Sequence, residues 1–182
     1  LLAGEKRYTI SPIVAEYFKN FSTVWEFLKP YAEDGNPDTL IKILKESGYI
    51  NMPKISAMLM NTVSLNVMQA GEKTNVIPSY AEADLDTRIL PDQGIDDWLQ
   101  ALKEKMGDDE IEIEIIHATE ASASPTDSSD YLLIKDFLQQ RFPSAVVTPN
   151  LTVGTTDSRF FREKGVPSYG VVPVFVPLQH AG

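Results

Sequence analysis

The sequence predicts a mixed α/β (α+β) chain in two parts. The first is a partial ferredoxin-like unit of order β-β-α-β carrying a helical insertion; the second is part of another α/β unit. Three observations point there. Over residues 11–61 apolar side chains recur at helical spacing. Over 62–116 the period falls to two, breaks for one amphipathic helix, and returns to two. A Ser/Ala/Thr/Pro stretch, Ala118–Ser129, then precedes a helix and a strand–turn–helix–strand pattern. The expected division is therefore 1–117 and 118–182, with 11–61 as the insertion in the first part.

The helical stretch opens with Ser11-Pro12, an N-cap followed by proline at the first helical position, with Ile13, Val14, Tyr17, Phe18 and Phe21 at helical spacing. Val24, Trp25, Phe27 and Leu28 predict a second short helix ending before Pro30. Asn36-Pro37 repeats the cap signal and starts a helix over 38–47, closed by Gly48. Met52–Asn61 is the fourth, with Met52, Ile55, Met58 and Leu59 as its apolar side. These aromatic-rich stripes read as core faces.

The strands follow. Val63, Leu65 and Val67 alternate up to the turn Ala70-Gly71-Glu72, and after Thr74–Pro78 a longer strand covers Ser79–Leu90. In it Ala81, Ala83, Leu85, Thr87 and Ile89 share one face, and Glu82, Asp84, Asp86 and Arg88 the other. Ile95, Trp98, Leu99, Leu102 and Met106 define an amphipathic helix capped by Gly107. Glu110–Ile116 alternates strictly, a strand with one acidic, wet face. The unit lacks the opening β-α pair of a complete ferredoxin-like module, unless that pair precedes residue 1.

In the second part Asp130–Arg141 is a helix with Tyr131, Ile134, Phe137 and Leu138 inward. Two β-branched runs, Ala145–Thr148 and Ser168–Val172, then bracket the turn Gly154-Thr155-Thr156-Asp157 and a helix of about two turns. Thr156 or Asp157 is placed to cap that helix and Gly165 to end it. This is βαβ grammar, and loops at the carboxyl ends of such strands are where α/β proteins bind ligands.

Composition narrows the partners. The chain has 182 residues, a formal net charge of −10 and no cysteine. Lys and Arg cluster nowhere, which argues against nucleic acid and anionic membrane as partners. Without cysteine there is no disulfide framework, thiolate nucleophile or Cys-based zinc site. No apolar run approaches the roughly 18 residues of a spanning helix, and residue 1 opens no signal peptide. A cytoplasmic setting is the expectation.

Candidate chemistry is sparse. Of the two histidines, His117 with Glu120 makes an HxxE pattern without a third ligand nearby, and His180 lies close to the end of the sequence. No serine stands in a GxSxG elbow and no Gly-rich phosphate loop is present. The loop over 154–159 offers two hydroxyls, a carboxylate and Arg159. Asp157 reads either as a helix cap with Arg159 as its surface partner, or as part of a ligand-binding loop. Arg88 has Asp84 and Asp86 on its own strand face as ready partners.

A resemblance carries the reading further. Thr74-Asn75-Val76-Ile77-Pro78, the strand ending Asp86-Thr87-Arg88-Ile89-Leu90-Pro91, and Gly154-Thr155-Thr156-Asp157-Ser158-Arg159-Phe160 occur in that order. Their order and spacing resemble metallopeptidase family 20, the zinc-dependent carboxypeptidases, aminoacylases and desuccinylases. The likeness is greatest to the branch of Gly-X carboxypeptidases and N-acyl-amino-acid hydrolases, in which a helical insertion precedes the Asn-Val-Ile-Pro stretch.

The resemblance implies a lid/dimerisation domain over 1–117 and a return into a catalytic α/β domain over 118–182. It also implies a homodimer formed through the lid, two zinc ions in the whole enzyme, and hydrolysis of peptides or N-acyl amino acids. The family's HxD motif, bridging Asp, paired Glu and general base precede the lid, so no catalytic residue is assigned here. The last metal ligand is a His near the C-terminus. His180 takes that place in one alignment; in the other, Pro173 and Pro177 match the preceding prolines and the ligand lies beyond Gly182. The implied substrate-binding residues are Asn75, reaching across the dimer, Arg88, for the free carboxylate, and Thr155, near the scissile carbonyl, with Asp157 and Arg159 ordering the loop. The competing class is a non-enzymatic dimerising or binding module built on a ferredoxin-like sheet.

Overall fold

A computed structural model describes residues 7–171. Four helices come first: α1 (Pro12–Phe21), α2 (Lys29–Asp34), α3 (Pro37–Glu46) and α4 (Pro53–Leu59). Short 3₁₀ turns at Glu26–Leu28 and Tyr49–Asn51 link them. Strands β1 (Thr62–Ala70) and β2 (Ala81–Arg88) form an antiparallel hairpin. Helix α5 (Ile95–Met106) follows, then α6 (Ser129–Arg141) and α7 (Ser158–Arg162). The fold is mixed α/β, with a two-stranded sheet among the described residues.

The helical collar α1–α4 holds the main core. Val14, Phe18, Leu28, Leu40, Leu44, Met58 and Leu59 are fully buried there, with Tyr17, Tyr31, Ile50 and Ile55 nearly so. Each helix starts on a proline in its first turn, where the missing N–H has no intrahelical partner to lose. The Ser11 hydroxyl accepts from the Val14 N–H and the Asn36 side-chain Oδ1 from the Asp38 N–H, so both expected caps form. Pro30 departs from expectation. It sits in the first turn of α2 instead of ending a helix before it, and the 24–28 segment keeps only a 3₁₀ turn. Aromatic rings line one flank of the collar. Trp25 and Phe27 stack at 5.8 Å between centroids, Phe27 and Tyr49 at 5.2 Å, and Trp25 also meets Phe21 at 4.9 Å.

The hairpin corrects a facing expectation. Leu65 lies opposite Leu85 and Val63 opposite Thr87, but beyond Leu65 the register shifts so that Val67 faces Asp84 and Met68 faces Ala83. Asn66 is the extra residue of a β-bulge, which moves Val67 to the acidic face and puts Met68 beside the alanines. Neither strand is buried: Leu65 is 53% and Met68 66% exposed.

Three predicted strands do not join a ladder. Glu110–Ile116 forms no strand: Glu110 lies in a turn, 111–115 take no regular structure and the chain bends at Ile116, with Ile111, Ile115 and Ile116 exposed. Alternation specifies two faces, not a partner. In a ferredoxin-like sheet the closing strand pairs with the opening one, and the described residues contain no opening strand. Ala145–Thr148 and the described part of Ser168–Val172 are also unpaired. Side chains hold them instead: Asn20 Nδ2 donates to Thr148 Oγ1, and the Ser124 hydroxyl both accepts from the Ser168 N–H and donates to its carbonyl, at 2.9 Å each. Helix α7 is shorter than expected but ends as foreseen. Gly165 has φ +75°, its N–H bonds the Arg162 carbonyl, and the Val166 N–H bonds that of Phe161.

Candidate substrate-binding site

Arg88 is the last residue of β2, and the chain on either side is fixed. Thr62 lies opposite it across the hairpin, and two residues on the Leu90 N–H donates to Asn61 Oδ1 at 2.9 Å, with Leu90 buried. Residues two apart on a strand share a face, so Asp86 stands beside Arg88. Arg88 Nε donates to Asp86 Oδ1 at 2.6 Å and Nη2 to Oδ2 at 2.8 Å, a bidentate pair. Hydrogen bonding to Asp86 pushes the Arg88 guanidinium pKa up, so it stays charged. The pair is open to water, with side chains 52% and 39% exposed.

The third contact of Arg88 is distant in sequence. Nη1 donates to Thr155 Oγ1 at 3.0 Å, bridging the end of the hairpin to the loop before α7. Two of the predicted site residues are thus brought together. Asn75 is not with them. It lies in the exposed loop joining β1 to β2, at the far end of the hairpin from Arg88, roughly 25 Å away along the strands.

Asp157 precedes α7 at the N-cap position but its side chain makes no capping bond, since its backbone is already helical; the expectation of a carboxylate or hydroxyl cap is not met there. Arg159 has no ion pair with it among the described residues. Its Nη1 donates to Thr119 Oγ1 at 3.0 Å, its guanidinium lies 4.6 Å over the Phe160 ring, and its Nε is buried without a hydrogen-bond partner. Thr119 Oγ1 is 3.3 Å from His117 Nε2. Arg162 Nε binds Ser122 Oγ at 2.9 Å. These hydroxyls were not singled out from the sequence. The signal is the spacing of Ser122 and Ser124, which puts both on one side of an extended chain.

No group of three or more His, Asp or Glu among the described residues is placed to hold a metal ion. His117 and Glu120 acquire no third ligand there, and His180 lies outside the described residues. The described residues therefore do not fit a zinc site. An open cleft of about 410 Å³ between α1 and α6, lined by Lys19, Asn20, Lys135 and Gln139, contains none of the predicted site residues. No described helix is long and apolar enough to cross a membrane.

Residues 38–114 match the family model of the peptidase dimerisation domain, M20_dimer, which spans α3 through α5 and the segment after it. The chain belongs to peptidase family 20. Its relatives within the family agree. It is 31% identical over 128 residues to the N-fatty-acyl-amino acid synthase/hydrolase PM20D1 of Homo sapiens, covering 68% of this chain and 26% of that protein. It is 31% identical over 111 residues to the probable carboxypeptidase S-like 2 of Dictyostelium discoideum, covering 60% and 21%. With aminoacylase-1 of Mus musculus the identity is 26% over 126 residues, covering 67% and 31%. The chain thus spans roughly a quarter of the length of its family-20 relatives. No solved structure matches it.

Proposed function

We propose that this chain supplies the dimerising and carboxylate-recognising part of an amidohydrolase that cleaves peptides or N-acyl amino acids. The Arg88–Thr155 hydrogen bond carries the reading. It joins a strand of the dimerisation domain to a loop outside the matched residues, and both partners are polar, exposed and able to donate further. In this reading residues 1–117 are the lid and 118–182 belong to the catalytic domain. Arg88 offers a planar fork to the substrate's free carboxylate, and Thr155 stands at the adjoining carbonyl.

Asn75 serves the partner subunit's site, because within one chain the length of the hairpin keeps it from Arg88. Arg159, held by Thr119, orders the loop, and Asp157 belongs to the same loop. Zinc is proposed from the family likeness alone, and it would supply an activated water. The exposed Leu65, Met68 and Leu85 side of the hairpin fits a homodimer, and fits equally a binding module without chemistry.

The experiment is a titration of the 182-residue chain with N-acetyl-leucine and with its uncharged amide, followed by ¹⁵N NMR. The acid is expected to shift the Arg88 and Thr155 signals and the amide to leave them in place. Arg88→Ala is expected to abolish the difference. Equal shifts by acid and amide, or a response unchanged in Arg88→Ala, would overturn the proposal.

A further inference from the structure

The ion pair with Asp86 looks at first like a rival to substrate for Arg88. A count of donors argues otherwise. A guanidinium has five N–H groups in one plane. Asp86 takes the Nε–H and one on Nη2; Thr155 takes one on Nη1. One N–H therefore remains on each terminal nitrogen. The Thr155 hydroxyl accepts from Arg88 and keeps its own proton to donate. Three donors are left around one guanidinium, and their directions are set by the plane that Asp86 grips at two points.

Resting on the carboxylate reading above, we propose that Asp86 is a positioning residue: it locks the Arg88 guanidinium so that Arg88 and the Thr155 hydroxyl receive one substrate carboxylate together. The alternative to positioning is occupation, in which Asp86 merely fills Arg88 until an anion displaces it. The two differ in sign. A locked Arg88 has lost its rotational freedom before the ligand arrives, so removing Asp86 weakens binding. A blocked Arg88 is released by the same change, so removal strengthens it. They also differ in salt dependence. The Asp86–Arg88 pair is neutral overall, so a ligand held through its leftover donors binds by directed hydrogen bonds and responds weakly to ionic strength.

The test uses the full 182-residue chain, with N-acetyl-leucine as probe and the Arg88 Nε–H resonance as readout. Asp86→Ala is expected to weaken binding about two- to fivefold, the modest factor of an exposed pair, and to broaden the Nε–H signal as the side chain begins to rotate. Asp86→Asn keeps an acceptor for the Nε–H and is expected to recover part of both. Tighter binding in both variants, with steeper salt dependence, would show a blocking carboxylate and overturn the proposal; so would unchanged affinity in Asp86→Ala. Both outcomes leave the carboxylate reading standing, whereas binding that is unchanged in Arg88→Ala overturns that reading too. An unshifted denaturation midpoint in Asp86→Ala is expected, because the side chain is 39% exposed.

Discussion

Replacing Phe18 by Ala should unfold much of the collar, while replacing Leu65 by Ala should barely register. Phe18 is fully buried in α1, with the Tyr17 ring edge-on at 5.2 Å. Truncating such a ring costs about 3–5 kcal/mol, transfer and cavity terms together. At about 0.05–0.15 kcal/mol per residue, a collar of some fifty residues is stable by roughly 3–8 kcal/mol. Phe18→Ala therefore removes between about a third and all of it. Leu65 is 53% exposed, so less than half of the roughly 1.5–3 kcal/mol of a fully buried Leu is at stake, about 1.4 kcal/mol at most. The chain has two tryptophans, Trp25 in the collar and Trp98 in α5. A Trp98→Phe background leaves Trp25 as sole reporter in urea denaturation. If Leu65→Ala lowered the midpoint as far as Phe18→Ala does, the hairpin would be part of the same buried core, and placing the main core in the collar would be wrong.

Three smaller predictions follow from the same geometry. Gly165→Ala meets open space but a φ of +75°, so it should cost about 1–2 kcal/mol and speed hydrogen exchange at the Val166 amide accordingly. Asp34 accepts from the Thr39 hydroxyl and the Asn36 N–H, which lowers its carboxyl pKa. Its folded value is below its unfolded one, so its contribution is present above the ordinary carboxylate range and lost as pH falls through the folded value. Asp34→Asn should remove that part of the acid sensitivity in a pH series of melts. Burial raises the Tyr17 and Tyr31 phenol pKa values. Their contribution is present below the ordinary phenol value of about 10 and lost as pH rises through the folded values, so both should titrate above that value in an absorbance titration, and Tyr17→Phe should reduce the alkaline loss of stability.

The collar was legible because its signals are local. Ser11-Pro12 and Asn36-Pro37 specify helix starts within four residues, and Val14, Tyr17 and Phe18 of the α1 stripe are buried as their spacing requires. Gly165 was equally readable, since one left-handed residue and its two backbone bonds end α7. Pairing was not legible. The alternation of Glu110–Ile116 states which side chains want cover without saying which strand provides it, and a bulge at Asn66 cannot be seen in a period-two pattern. The site was half visible. The bidentate bond to Asp86 follows from i,i+2 spacing on β2, one of the two partners foreseen on that face. The resemblance named Arg88 and Thr155 separately, and the bond that joins them across 67 residues was read from neither periodicity nor resemblance.

In the proposed function, each binding site combines Arg88 of one subunit with Asn75 of the other. Mixing Asn75→Ala chains with Arg88→Ala chains tests it most directly. Each variant alone has no intact site. In an equilibrated equal mixture half the dimers are mixed, and each mixed dimer holds one intact site out of two. Calorimetric titration with N-acetyl-leucine is therefore expected to regain about a quarter of the unmutated site number. A mixture that binds no more than the average of the two variants measured alone would contradict the account and confine recognition to a single chain.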